Sequence, residues 1–279
     1  MDNESNMKVS QSAELTEAEF SVDLFQEASE SLSRRLGMHI LRVGGGVAAL
    51  MANDPTGFYW SRVLGLGWDE PITDELIDEI VRWYQQHGGS TILAQVSPAV
   101  AQDDWEGVLE RAGFKSGGSW IKVVRDTSTP TTTATDLEIR PLGPQDGQRY
   151  AEVYWAGFEF EEPLFIEWMT SQPAMSKWRT FGAFDGDALA AVGALFINGE
   201  FAGMSGAATL PAFRNRGAQA ALIAARITAA AAEGCKWVIS ETGAETPTEP
   251  NPSLHNLHRL GFTDLYERRN WLLRLTAER

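Results

Sequence analysis

The stretch "LPAFRNRGAQAALIAARI", residues 210–227, decides how this chain is read. It sets Arg214, Arg216 and Gly217 between an apolar run and an alanine-rich segment in which Ile223, Ile227 and Ala230 recur at helical spacing. A helix start already carries partial positive charge, so two cations there are locally unfavourable unless an anion joins them. Free backbone N–H groups at such a terminus, with arginines alongside, suit a phosphate. The stretch therefore predicts an anion site at the start of a helix.

Reading outward, a strand over Phe201–Thr209 leads into this site and a helix over Gly217–Glu233 leaves it, stopped by Gly234. A buried strand over Lys236–Glu241, a helix over Ser253–Leu260 and a last strand over Tyr266–Leu275 follow. Upstream lie a short strand, Ile139–Leu142, and one or two aromatic-rich helices between Gln145 and Met169. A hairpin comes next, Thr180–Asp185 and Ala188–Ile197, turned at Asp185-Gly186-Asp187.

The first half reads similarly. A helix over Glu17–Leu36 precedes strands Met38–Val43, Val47–Met51 and Phe58–Leu64, with Gly44–Gly46 as a hairpin turn. A helix over Thr73–His87 has Thr73 as its N-cap and Asp74 and Glu75 in its first turn. A strand Thr91–Val96, a helix Asp103–Arg111 and a strand Trp120–Arg125 complete it. Both halves close alike, on Leu109-Glu-Arg-Ala-Gly-Phe114 and Leu257-His-Arg-Leu-Gly-Phe262, each a short helix, a glycine stop and an aromatic entering a strand. Repeated endings predict duplicated domains. Between the halves, the Thr-rich DTSTPTTTATD at 126–136 has no apolar periodicity and reads as a linker. The expected division is a first domain over 1–127, a linker over 128–136 and a second domain over 137–279. The expected class is α/β (α+β), each domain a mixed, mostly antiparallel sheet flanked by helices.

The chain has 279 residues and a net charge of -15, which argues against a nucleic-acid surface, since phosphate backbones demand a basic face. Its one cysteine, Cys235, excludes an internal disulfide and a thiolate metal cluster, and no metal is expected. No segment approaches the roughly 18 apolar residues of a membrane span. The N-terminal MDNESNMKVSQSAE lacks the basic and apolar regions of a secretory signal, so a cytoplasmic protein is expected.

The order strand, Pro211, Arg214-Asn-Arg-Gly217-Ala-Gln219, helix resembles the acyl-CoA signature of the GNAT acetyltransferases. The later strand KWVISETG and the segment NPSLHNLHRLGF extend the resemblance over 136–279. The family's signature ends on Gly or Ala where this chain has Gln219. The resemblance implies acetyl-CoA as co-substrate. It implies that Ala207, Ala208 and Thr209 pair with the pantetheine amides, that Arg214, Asn215, Arg216, Gly217, Ala218, Gln219 and Ala220 surround the pyrophosphate, and that Asn256 reaches the pantetheine arm. Asn256 also reads as a surface helix residue. The first half, with GLGWDEP at 65–71, resembles a degenerate copy without the loop. There Trp68 fills space, Asp69 and Glu70 repel a diphosphate and Pro71 removes a donor.

The family often places a tyrosine four residues before the glycine of its Gly-Phe ending, as an acid toward the thiolate; here that residue is Leu257. Ser253 or a water is the expected replacement. Glu241 is the candidate base for the amine, or a carboxylate that binds a cationic substrate without taking its proton. His255 and His258 read as a solvent face. The resemblance places the acceptor beside the first helical region, where Trp155, Phe158, Glu159, Glu161 and Glu162 would form an aromatic and acidic wall, although most of its aromatics also suit a core. The expected activity is acetyl transfer to the primary amine of a small aromatic or cationic molecule, by a monomer or homodimer without membrane or nucleic-acid partners. A protein or other acyl-CoA-dependent acyltransferase, and a non-catalytic acyl-CoA-binding regulator, are the alternatives.

Overall fold

A computed structural model of the chain describes residues 3–160 and 162–275. They form two compact units, Met1–Ile121 with Leu265–Arg279, and Lys122–Asp264. This division differs from the expected 1–127 and 137–279. Residues 122–136, the Thr-rich segment included, belong to the second unit, and the final strand belongs to the first.

The first unit opens with α1 (Asn3–Gln26) and α2 (Glu30–Leu36), where one helix from Glu17 was expected. The break has local causes. Ser29 caps α2 by accepting from Leu32 N at 3.3 Å, and Gly37, at φ +64°, ends it. The early start of α1 was hidden because its inward face is polar. Ser10, Glu14, Glu17 and Ser21 are buried beside Val9, Ala13, Ala18 and Val22, so no apolar stripe betrays the helix. Glu14 accepts from Arg268 at 2.6 Å and from the Tyr266 hydroxyl at 2.6 Å, while Glu17 takes Arg268 at 2.8 Å and also pairs with Arg62.

The unit continues through β1 (Met38–Val43), β2 (Gly46–Met51), β3 (Arg62–Leu64), α3 (Asp74–Gln86), β4 (Thr91–Gln95), α4 (Trp105–Arg111) and the first part of β5 (Lys115–Asp126), whose residues from Lys122 on belong to the second unit. Gly44 and Gly45, both at positive φ, turn the β1–β2 hairpin as their sequence foretold. β2 pairs antiparallel with β3, β3 pairs parallel with β4, and β4 pairs antiparallel with the chain's last strand. Ile77, Ile80 and Tyr84 of α3 pack with Ile92, Val96, Trp105, Leu109 and Trp271 into its core.

The second unit contains β6 (Glu138–Leu142), α5 (Gly147–Gly157), α6 (Pro163–Met169), β7 (Trp178–Asp185), β8 (Ala188–Asn198), β9 (Phe201–Thr209), α7 (Ala218–Ala232), β10 (Trp237–Gly243) and α8 (Pro252–Arg259); β11 (Thr263–Arg274) is the last strand. β6, β7, β8 and β9 form an antiparallel run. β9 pairs parallel with β10 over Phe201–Gly203 and Trp237–Ile239, and both strands continue past that ladder. Small residues on α7 and β8 let helix and sheet approach closely, with Ala218 and Leu222 packed on Ala183, Ala190 and Ala191.

One irregularity shapes the site. The β8–β9 register shifts between Val192, opposite Ala208, and Ala194, opposite Ser205, so β9 carries one extra residue. Gly206 sits in this bulge at φ +49°, where a Cβ would fall 2.0 Å from a Tyr154 ring carbon. Only glycine fits there. Among the described residues no helix is long and apolar enough to cross a membrane.

Candidate functional site

Past the β9–β10 ladder the second unit holds a cavity of about 720 Å³. Gly157, Ala207, Ala208, Thr209, Phe213 and Arg214 line it, followed by Asn215, Gly217, Ala218, Gln219 and Ala220. Ile223, Pro252, Ser253, Asn256 and Arg259 complete the lining. The bulge supplies the β9 wall and the start of α7 supplies the floor. Every residue expected to meet the cofactor lines this cavity except Arg216.

The loop into α7 follows from its residues. Leu210-Pro211 begins a single 3-10 turn, Arg214 is extended at ψ 157°, and Asn215 and Gly217 are left-handed at φ +65° and +78°. Gly217 is the N-cap of α7, and no side chain caps the helix. Its first turn holds no acidic residue. The first helical bond runs from Ala221 N to Gly217 O at 3.0 Å, leaving the N–H groups of Ala218, Gln219 and Ala220 to face whatever occupies the cavity. Arg214 stands at the rim, 3.5 Å from the Gly157 carbonyl and 3.8 Å from Glu159. Arg259 donates to Asn256 Oδ1. Among the described residues two arginines and no carboxylate line the cavity of a chain whose net charge is -15. Anions are favoured here on both counts.

Arg216 departs from the expectation. Its guanidinium turns away from the cavity and pairs with Asp136, at 3.1 Å from Nε, and with Asp185, at 2.7 Å from Nη1. The hydrogen bonds from Arg216 hold both carboxyls below their ordinary range, and the two carboxylates push the guanidinium's own pKa up. Gly217 is also explained differently. A Cβ there would lie 2.6 Å from the Ala134 carbonyl, so the missing side chain admits the protein's own backbone. Gln219 reaches back across the cavity to donate to Thr209 Oγ1 at 2.8 Å.

Glu241 does not line the cavity. It lies on β10 with Lys122 Nζ at 3.0 Å, and both side chains are buried or nearly so. A carboxylate already engaged by an ammonium suits charge placement better than proton removal. Ser253 does face the cavity, and Leu257, where the family often has tyrosine, is buried in the core. His255 and His258 pair with Glu245 at 2.8 Å and Asp264 at 2.6 Å on the exposed face of α8.

The expected acceptor wall is divided between core, helix cap and surface. Trp155 is buried, donates to the Phe165 carbonyl at 2.9 Å and stacks on Phe165. Glu162 caps α6 by accepting from Leu164 N at 3.2 Å. Phe158, 55% exposed, packs one side on the buried Tyr154 ring at 5.5 Å between centroids, and the left-handed Glu159 is exposed; Glu161 lies outside the described residues. The sequence reading missed Gly157, Arg259, Phe213, Ile223 and Pro252 as lining residues. Arg259 was findable, since it lies three positions after Asn256 on one helix face.

The family model of the acetyltransferase (GNAT) family matches residues 148–262, a span that contains the whole cavity. No curated protein matches the sequence. Among solved structures, a GCN5-related N-acetyltransferase from Kribbella flavida is similar at TM-score 0.62 and 13% identity, over 93% of this chain and 94% of that one. A tandem GNAT protein from the clavulanic acid biosynthesis pathway is similar at TM-score 0.59 and 14% identity, over 98% and 96%. An acetyltransferase of the GNAT family from Colwellia psychrerythraea is similar at TM-score 0.55 and 12% identity, over 99% and 98%. At these identities the likeness is one of fold, and it spans both halves.

Proposed function

We propose, from the match of residues 148–262 to the acetyltransferase (GNAT) family model, that this chain transfers the acetyl group of acetyl-CoA to the primary amine of a small molecule. The observation that carries the cofactor half of this reading is the pairing of an uncapped helix start with two arginines and, among the described residues, no carboxylate around one cavity. A diphosphate satisfies the N–H groups of Ala218, Gln219 and Ala220, and Arg214 and Arg259 balance its charge. Ala207, Ala208 and Thr209 offer the edge of β9, beyond its ladder with β10, to the amide-bearing arm. Asn256 faces the same space.

When bound, the thioester supplies the acyl carbon: the amine forms a C–N bond as the C–S bond breaks, and one proton passes from nitrogen to sulfur. Ser253 is the hydroxyl we assign to the sulfur side, because Leu257 is buried and carries no proton. Glu241, paired with Lys122 and off the cavity lining, is assigned no contact with the amine, and water takes the proton of its cationic form. Phe158 and Glu159, the exposed members of the expected wall, suit an amine with an apolar or cationic body.

The engaged Glu241 and the buried Leu257 also favour a second reading, an acyl-CoA-binding regulator without catalysis. Release of free thiol from acetyl-CoA across a library of small amines separates the two. The enzyme reading expects release with at least one amine; binding of acetyl-CoA by calorimetry with no release from any amine leaves the regulator.

A further inference from the structure

The phosphate loop is gripped by the segment that was expected to be only a linker. Thr135 donates its hydroxyl to the Arg216 carbonyl at 2.7 Å and accepts from Leu137 N at 3.2 Å. The Ala134 carbonyl occupies the space that a Gly217 side chain would need. Asp136 binds the Arg216 guanidinium through Nε and Nη2, and Asp185, from the β7–β8 turn, takes Nη1. Farther back, Arg125 donates to Thr131, to the Thr129 carbonyl and, at 2.6 Å, to the Leu260 carbonyl at the end of α8. Thr127 donates to the Cys235 carbonyl at 2.7 Å.

These contacts converge on one stretch of backbone. Residues 214–217 hold two left-handed conformations, and Asn215 is a residue that adopts such a conformation at a cost. A loop in that state persists only where its surroundings over-determine it. Along this stretch the hydrogen bonds and ion pairs of Arg216 run to residues 135, 136 and 185, none of which lines the cavity, and its guanidinium lies 5.8 Å from the centroid of the Phe213 ring.

We propose that residues 134–136 are a structural part of the cofactor site, acting as positioning residues that hold the loop at Arg216 and Gly217 in the shape that receives a diphosphate. The proposal rests on the acetyl-CoA reading above. Arg216 then serves as the anchor of the loop, and its affinity contribution comes through shape. A preorganised loop improves affinity by removing the cost of ordering it on binding.

Calorimetry on the full chain tests this with two ligands, acetyl-CoA and pantetheine, which lacks the diphosphate. Thr135→Val removes the donor at nearly constant volume. The expected result is an acetyl-CoA Kd raised about fivefold, the loss of one hydrogen bond's worth of order, with pantetheine binding unchanged. Thr135→Ser should restore wild-type affinity. Acetyl-CoA affinity within twofold of wild type in Thr135→Val, or equal weakening of both ligands, overturns the proposal. Should Thr135→Val fail to fold, Asp136→Asn/Asp185→Asn together release Arg216 at the surface. Weakening of acetyl-CoA alone by about threefold supports the clamp, and no change overturns it. Wild-type protein that binds no acetyl-CoA defeats the underlying reading instead.

Discussion

The starts of α3 and α7 occupy matching places, each following the first strand of a parallel pair and leading to its second. Their chemistry is opposite. Thr73 caps α3 by accepting from Leu76 N at 3.2 Å, and Asp74 and Glu75 fill its first turn. α7 has a glycine N-cap, no capping side chain and no acid in its first turn. The first helix satisfies its own dipole with its own oxygens, whereas the start of the second has no side-chain cap and no acid in its first turn to do so.

The connections differ as well. Residues 65–73 separate the β3–β4 ladder from α3, while residues 204–217 separate the β9–β10 ladder from α7. The longer connection gives β9 its bulge and a strand edge beyond the ladder. The shorter one leaves no such edge. The hollow beside it, about 520 Å³ with Asp69, Glu70 and Glu4 on its walls and Lys8 tied to Glu4 at 2.7 Å, repels a diphosphate. Duplicated architecture thus carries two different helix starts, and the difference lies in a handful of residues.

The sharpest way to break the comparison is Arg214→Glu. It places a carboxylate at the rim of the cavity beside Glu159, and acetyl-CoA affinity should fall by on the order of a hundredfold, read by calorimetry. Affinity within threefold of wild type would mean that the second helix start is no more an anion site than the first. A smaller effect of opposite sign is expected for Gln219→Ala. On the acetyl-CoA reading, a ligand at the α7 start would have to displace the Gln219–Thr209 hydrogen bond, worth about 1 kcal/mol, so its removal should tighten acetyl-CoA binding by up to about fivefold. Weaker binding would show that the Gln219 amide is itself a ligand contact. The smallest effect on the site is expected for Thr73→Ala. Loss of the α3 cap should lower stability by about 1 kcal/mol, seen as a Tm drop of a few degrees, with acetyl-CoA affinity unchanged.

Much of this contrast was legible in the residues. Thr73 with Asp74 and Glu75 announced a self-capped helix, and Arg214 to Gly217 before an alanine run announced an open one. Strands and helices near the site fell close to where periodicity put them, because the apolar runs there are bounded by Gly186, Gly199 and Gly234, all at positive φ. Other features were hidden for definite reasons. α1 buries Glu14 and Glu17 against Arg62 and Arg268, partners far away along the chain, and no local pattern encodes such a pairing. Arg216 and Arg214 look equivalent in the sequence, two residues apart in one loop. Left-handed Asn215 between them sends one guanidinium to the rim and the other to Asp136 and Asp185. Trp155 and Phe158 are both aromatic ends of one helix, yet one is core and the other is exposed.

By itself the sequence determined which helix start is electrostatically unfinished, since capping and dipole balance depend on neighbours within one turn. Only the tertiary structure decided which arginine faces the cavity, which carboxylate is already engaged, and that a threonine-rich segment grips the loop. Those outcomes depend on where distant oxygens and ammonium groups arrive once the chain has closed, and spacing along the chain holds no record of that.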